Sequence, residues 1–202
     1  MSIKESIKNA LILIAITVFA GLVLGLVYEV TKDIIIQREA DDKKAACMEV
    51  FPGAADFAPV SDHMTPAIRQ ELDAAGYEAV TIDELMEAKG ADGNVAGYVF
   101  TVTTSEGYGG DITFIAGITG DGTLNGISIL TINETAGLGM NAEKVLKPQF
   151  AGRNVEKFAY TKTGASSDNE VDAISGATIT TNAFVNAVNC CLKYYSDVLK
   201  GV

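Results

Sequence analysis

A chain of 202 residues, 48% of them hydrophobic, has room for one ordinary domain and an additional apolar segment. Twenty-six acidic against fifteen basic residues give a formal net charge of −11, which argues against the basic footprint of a nucleic-acid binder and against a polybasic membrane patch. Three cysteines (Cys47, Cys190, Cys191) without a CxxC pair, beside the single histidine His63, argue against a disulfide framework and a protein-only metal site.

Residues 1–9 form a short tail carrying Lys4 and Lys8. Residues 10–30, "ALILIAITVFAGLVLGLVYEV", hold no charge before Glu29, and about twenty apolar residues span a bilayer core as a helix. A secretory signal would have a shorter apolar core ending at a small-residue cleavage site. The run through Val23, Leu24, Leu26 and Val27 therefore reads as an uncleaved anchor. Basic residues flank it on both sides and do not fix its orientation. The short tail and the large acidic remainder favour the tail inside and the domain outside. Gly21 and Gly25 form a GxxxG pair, which either packs a neighbouring helix closely or reflects the general frequency of glycine in such spans.

Residues 31–51 keep helical spacing through Ile36, Ala40, Cys47, Val50 and Phe51, and Pro52-Gly53 stops them. The remaining residues, 52–202, form the soluble domain. Residues 52–76 read as irregular around a helical piece, "PAIRQELDAAG". From Asn94 the period changes to alternation. "VAGYVFTVTT", "DITFIAGIT" and "TLNGISILTI" are three strands, with "GDG" at 120–122 as a hairpin turn. "NAEKVLKPQF" is a short helix, "EKFAYTK" a further strand, and a final helix runs from about Thr181 to Lys200 before Gly201. This order gives an α+β fold, a mostly antiparallel sheet flanked by helices after one transmembrane helix. Neither a GxGxxG dinucleotide fingerprint nor a P-loop is present.

Three glycine-containing stretches stand out. In "DAISGATITTNAF", Asp172 to Phe184, Thr180 or Thr181 can cap the last helix. The same stretch suits an anion, because Gly176 and Ala177 keep the backbone open before a helix N-terminus. "EGYGGDI", Glu106 to Ile112, reads as a tight loop, and "NETAGLG", Asn133 to Gly139, as a strand exit with Glu134 solvated. His63 falls in a surface loop, Cys190 and Cys191 in the packing face of the last helix, and Asp168, Glu170 and Asp172 in a solvated acidic run.

The seven positions Asp172 to Thr178 resemble the target motif of flavin transferase, Asp-x-x-Ser/Thr-Gly-Ala-Thr/Ser. The resemblance implies FMN taken from FAD and joined through its phosphate to the hydroxyl of Thr178, with Ser175, Gly176, Ala177, Thr180 and Thr181 around it. "EGYGGDI", with Tyr108, Gly109 and Gly110, resembles the Gly-Tyr-x-Gly segment of the G subunit of the Rnf electron-transport complex. "NETAGLG", with Glu134, Thr135, Gly137 and Leu138, resembles that family's Glu-Thr-Pro-Gly-Leu-Gly, with Ala136 where proline is usual. The resemblance implies an electron-carrier subunit with covalent FMN in a membrane-bound, ion-translocating ferredoxin:NAD⁺ oxidoreductase. It implies single-pass attachment to the cytoplasmic membrane, an extracytoplasmic domain, other membrane subunits as partners, and flavin transferase during maturation. No catalytic acid or base and no metal ligand is expected beyond the flavin. The C subunit of the Na⁺-translocating NADH:quinone reductase is similar in anchor and motif and is the alternative within flavoproteins. Outside that pair stand a flavin-free, membrane-tethered structural or sensory domain and a standalone extracytoplasmic flavin reductase.

Overall fold

The computed structural model describes residues 3–201. The chain divides between Lys43 and Lys44 into two units.

The first unit is helical throughout its described length, as part of α1 (Ile3–Val50). An 18-residue window of this helix has a mean hydropathy of 2.9, and none of it is buried within the protein, so the helix is long and apolar enough to cross a membrane. Its two threonine hydroxyls are satisfied internally: Thr17 donates to the Leu13 carbonyl at 2.8 Å and Thr31 to the Val27 carbonyl at 2.9 Å. That arrangement suits surroundings that offer no water. A methyl group at Gly21 or Gly25 would meet nothing within 4 Å, so that strip of the helix is open.

The second unit is built on a five-stranded antiparallel sheet with its strands in chain order: β1 (Asp56–Pro59), β2 (Val80–Lys89), β3 (Val95–Thr104), β4 (Ile112–Thr119) and β5 (Leu124–Thr131). The alternation and turn chemistry of β3 to β5 produce the expected meander. β1 and β2 lie in the stretch read as irregular or left unassigned. A bulge explains β2. Val80 and Ile82 face one side of the sheet, the register shifts between Ile82 and Glu84, and from there Leu85 faces that side while Met86 and Ala88 turn to the other. One inserted residue reverses every later side chain, so simple alternation fails. Helix α2 (Pro66–Ala74) is capped by Thr65, whose hydroxyl accepts the Ile68 N–H at 3.3 Å.

Both sheet faces are covered. On one face the last turns of α1 place Ala46, Cys47 and Val50, with Phe51 just beyond, against Met86, Ala88, Val99 and Ile115. Glycine makes room for them: a methyl at Gly117 would sit 2.9 Å from Val50 Cβ, and one at Gly97 2.7 Å from the Phe51 ring. Glu49 closes this contact by accepting the Ser128 hydroxyl at 2.5 Å and pairing with Lys147 at 2.8 Å.

On the other face lies α5 (Thr178–Tyr194), which continues into a π turn at Tyr195–Leu199. Phe184 stacks on Phe114 with centroids 5.2 Å apart. Short helices α3 (Ala142–Val145) and α4 (Lys147–Phe150) follow the sheet. A small parallel pair, β6 (Ala159–Thr161) and β7 (Glu170–Asp172), packs beside α5. Asn189 fastens this layer: its side chain accepts the Phe158 N–H at 2.7 Å and donates to the Phe158 carbonyl at 2.9 Å.

Cys47, Cys190 and Cys191 are all buried and unpaired with one another. Burial pushes the Cys190 thiol up to about 12 and raises Cys191 well above the usual thiol range. Because the thiolate is the reactive form, native protein at pH 8 should take up no maleimide. All three thiols should label after unfolding, as read by intact mass. Label at any of them in the native protein would contradict this packing.

Candidate functional site

The acceptor-like stretch forms a turn and a helix start. The Ala177 N–H donates to the Ile174 carbonyl at 3.0 Å across a turn in which Gly176 has a φ of +75°, a value that favours glycine. Helix α5 then begins at Thr178, three residues earlier than the sequence pattern suggests. Ala177 stands at the N-cap, and among the described residues no side chain caps the helix. The expectation that Thr180 or Thr181 caps it is therefore corrected, because both lie inside the first turn. The Thr181 hydroxyl is fully buried, donating to the Ala177 carbonyl at 2.9 Å and accepting the Ile174 N–H at 3.1 Å. A helix start without a side-chain cap directs its first N–H groups and positive dipole end outward, an arrangement that favours an anionic oxygen.

The three glycine-containing stretches are brought together by Glu134. Its carboxylate is not solvated but 9% exposed. Oε1 accepts the Gly109 N–H at 3.1 Å, and Oε2 accepts the Thr180 hydroxyl at 2.9 Å. Gly139 packs against this group so closely that a methyl there would lie 2.6 Å from Glu134 Cβ and 2.7 Å from the Thr180 oxygen. Glu106 adds a second tie, accepting the Asn186 amide of α5 at 2.9 and 3.1 Å. Between Glu134 and Gly139 the chain turns where the Leu138 N–H meets the Thr135 carbonyl at 3.1 Å, with Gly137 at φ +78°. Ala136 takes the position in such a turn where proline is common, and the turn closes without it.

These ties leave a cleft of about 540 Å³ in which Tyr108, Leu138 and Ile179 supply apolar wall, and Glu134, Thr135 and Thr180 polar wall. Gly176, Ala177 and Thr178 complete one side. Thr178 is half-buried, and among the described residues its hydroxyl makes no hydrogen bond. It also borders a smaller cavity of about 380 Å³, shared with Ser175 and Lys162. Of the residues singled out from the sequence, Tyr108, Glu134, Thr135, Leu138, Gly176, Ala177, Thr178 and Thr180 therefore meet at one cleft. Ser175 lies on the smaller cavity, Gly109, Gly110 and Gly137 shape the loops behind, and Thr181 points into the fold.

Lys162 and Gln149 carry no signal in the sequence, and Gly139 and Ile179, though inside the quoted stretches, are given no role of their own there. Gln149 is the least legible of them: it accepts the Asp172 N–H at 2.7 Å and donates to the Asp172 carbonyl at 3.2 Å, fixing the first residue of the motif from 23 positions away. The acidic run is engaged rather than simply solvated. Asp172 accepts the Ala165 N–H at 2.7 Å, and hydrogen bonds from Ser166 hold the Glu170 carboxyl below its usual range. His63 is half-buried, with Nε2 3.2 Å from the Ile82 carbonyl and its own carbonyl accepting from Tyr194.

Comparison with known proteins places this cleft inside a matched region. Residues 107–193 match the family described as FMN-binding domain, and residues 1–50 match the RnfG N-terminal region. The G subunit of the Na⁺-translocating ferredoxin:NAD⁺ oxidoreductase complex of Acetobacterium woodii is 33% identical over 201 residues, covering 98% of this chain and 95% of that protein. The G subunit of the ion-translocating oxidoreductase complex of Methanosarcina acetivorans is 33% identical over 196 residues, covering 96% of each. A solved structure, NqrC of Shewanella oneidensis, matches with a TM-score of 0.45 and 17% identity over 54% of each chain.

Proposed function

The chain belongs to the family of G subunits of ion-translocating oxidoreductase complexes, and from this we propose that it is an electron carrier of a membrane-bound ferredoxin:NAD⁺ oxidoreductase, holding FMN as a phosphoester on Thr178. The observation that carries the reading is the position of Thr178. Among the described residues this hydroxyl makes no hydrogen bond and no side chain caps the helix N-terminus at which it stands, on the edge of a cleft of about 540 Å³. That volume lies within the range of cofactor sites, which are mostly apolar with a few placed polar groups. The residues present fit the group: an apolar wall at Tyr108, Leu138 and Ile179 for a planar ring, and helix N–H groups with Lys162 nearby for a phosphate.

When bound, the flavin supplies the electron-carrying chemistry. The chain's own residues attach, orient and shield it. Thr178 would hold the group through its oxygen: with FAD as donor, the new bond to phosphorus would replace the bond between the two phosphates, AMP would be the leaving group, and the hydroxyl proton would pass to solvent. The ester keeps the group in place without relying on affinity. The remaining residues then act on orientation: the Glu134 ties hold the two glycine loops against α5, and the turn at Gly176 sets Thr178 at the cleft edge.

In this reading α1 anchors the subunit in the cytoplasmic membrane, and the domain lies outside the cytoplasm. The open Gly21–Gly25 strip is the surface against which another membrane subunit packs. Flavin transferase is the maturation partner, since the turn and Thr178 are exposed enough to be reached.

The test is peptide mass spectrometry on the protein from its native membrane. The peptide containing Thr178 should gain the mass of FMN less one water, and the denatured band should fluoresce as flavin. An unmodified peptide from cells with active transferase would overturn the covalent assignment and bring forward a flavin-free tethered domain.

A further inference from the structure

Glu134 is a buried carboxylate with an unusual setting. It lines the cleft, is 9% exposed, and among the described residues has no lysine or arginine as a partner. Its charge is met by two hydrogen bonds alone, one from the Gly109 N–H and one from the Thr180 hydroxyl. Glycine backbone closes around it on two sides. A methyl at Gly107 would lie 2.9 Å from Oε1, and one at Gly139 would lie 2.7 Å from Oε2. Side chains that could dilute the charge are thus kept away, and the cleft wall beside it is apolar at Leu138 and Tyr108.

We propose that Glu134 has two separable roles: its hydrogen bonds assemble the cleft, and its charge lowers the reduction potential of the flavin held there. The proposal rests on the reading of the cleft as a flavin site. The effect of the charge is Coulombic. Reduction adds negative charge, and a fixed, buried negative charge beside the ring makes that addition costlier. Two neutral donors stabilise the carboxylate without cancelling its charge, so its field still reaches into the cleft. The structure also supplies the means to separate the roles. Glutamine at this position keeps an oxygen for the Gly109 N–H, and its amide can donate to the Thr180 hydroxyl, which rotates to accept. The geometry survives while the charge is lost.

The experiment is a spectroelectrochemical titration of the full-length, flavin-loaded protein in detergent, with covalent flavin first counted by mass spectrometry. Glu134→Gln should load flavin to the wild-type level and shift the midpoint potential upward. A loaded Glu134→Gln protein with an unchanged or lowered potential overturns the proposal. A folded variant that carries no flavin overturns it too, because the carboxylate would then be required for attachment and the roles would not separate. Asn133→Lys guards against a variant that fails to fold. Asn133 is exposed beside Glu134 and does not line the cleft, and a cation there should raise the potential of the loaded protein; a loaded protein with no shift would overturn the charge role. Wild-type protein lacking covalent flavin is detected in the mass spectrum before any potential is measured, and it refutes the underlying reading rather than the role of Glu134.

Discussion

Thr178→Ala should abolish covalent flavin while leaving the stability of the domain within about 0.5 kcal/mol of wild type, the usual range for a substitution that breaks no packing or hydrogen bond. Both halves of this expectation come from the same residue. Thr178 is the first residue of α5, it is half-buried, and among the described residues its hydroxyl has no hydrogen-bond partner. Alanine therefore removes no internal bond and has a higher helix propensity than threonine. Thr178→Ser keeps a hydroxyl on the same carbon and should still be loaded. The measurement is in-gel flavin fluorescence with peptide mass spectrometry for the three proteins, beside their thermal unfolding midpoints. Covalent flavin on the alanine variant would mean that another hydroxyl is the acceptor. Ser175 is the candidate to examine next, since it is exposed on the neighbouring cavity, whereas Thr181 is buried with both its hydrogen-bonding roles filled.

The parts of this molecule that local chemistry specifies were legible in the sequence. Alternation in "VAGYVFTVTT" and "DITFIAGIT", with the turn at 120–122 between β4 and β5, is a property of neighbours along the chain, and it yielded the meander. The apolar run in α1 is equally local. β2 was not legible, because the bulge near Asp83 changes which residues face which side and the strand is built partly from Glu, Met, Ala and Lys. β7 is three residues long and pairs in parallel across an eight-residue connection, too little to leave a periodic signal. At the site, the three stretches were visible by their glycines, but what joins them was not. The bond from Thr180 to Glu134 spans 46 positions and that from Asn186 to Glu106 spans 80. Neither residue type announces such a partner; a carboxylate after a strand is ordinarily in water. Only the tertiary fold, by bringing the segment after β5 to the helix start, turns Glu134 inward.

Phe184→Ala is the complementary case, in which flavin loading should fall in step with the stability of the fold. Phe184 lies two turns into the helix that begins at Thr178; it is fully buried and stacked on Phe114 of β4. Truncating a buried phenylalanine typically costs about 3–5 kcal/mol, from lost transfer energy and the cavity left behind. Domains of ordinary stability have roughly 5–15 kcal/mol in total, so the variant should unfold at clearly lower temperature or denaturant. Helix α5 is buried on most of its surface, against the sheet on one side and the layer around Phe158 on the other. The helix start that presents Thr178 therefore rests on this core, with the Glu134 and Glu106 ties as its further supports. The two variants separate by their order of events. Phe184→Ala should lose stability first and flavin loading in proportion to the unfolded fraction, with partial recovery of loading on cooling. Thr178→Ala should show no loading at any temperature with an unchanged midpoint. If Phe184→Ala kept the wild-type unfolding midpoint, the stacked contact with Phe114 would not be supporting the helix, and the positioning of Thr178 would have to come from the Glu134 and Glu106 ties alone.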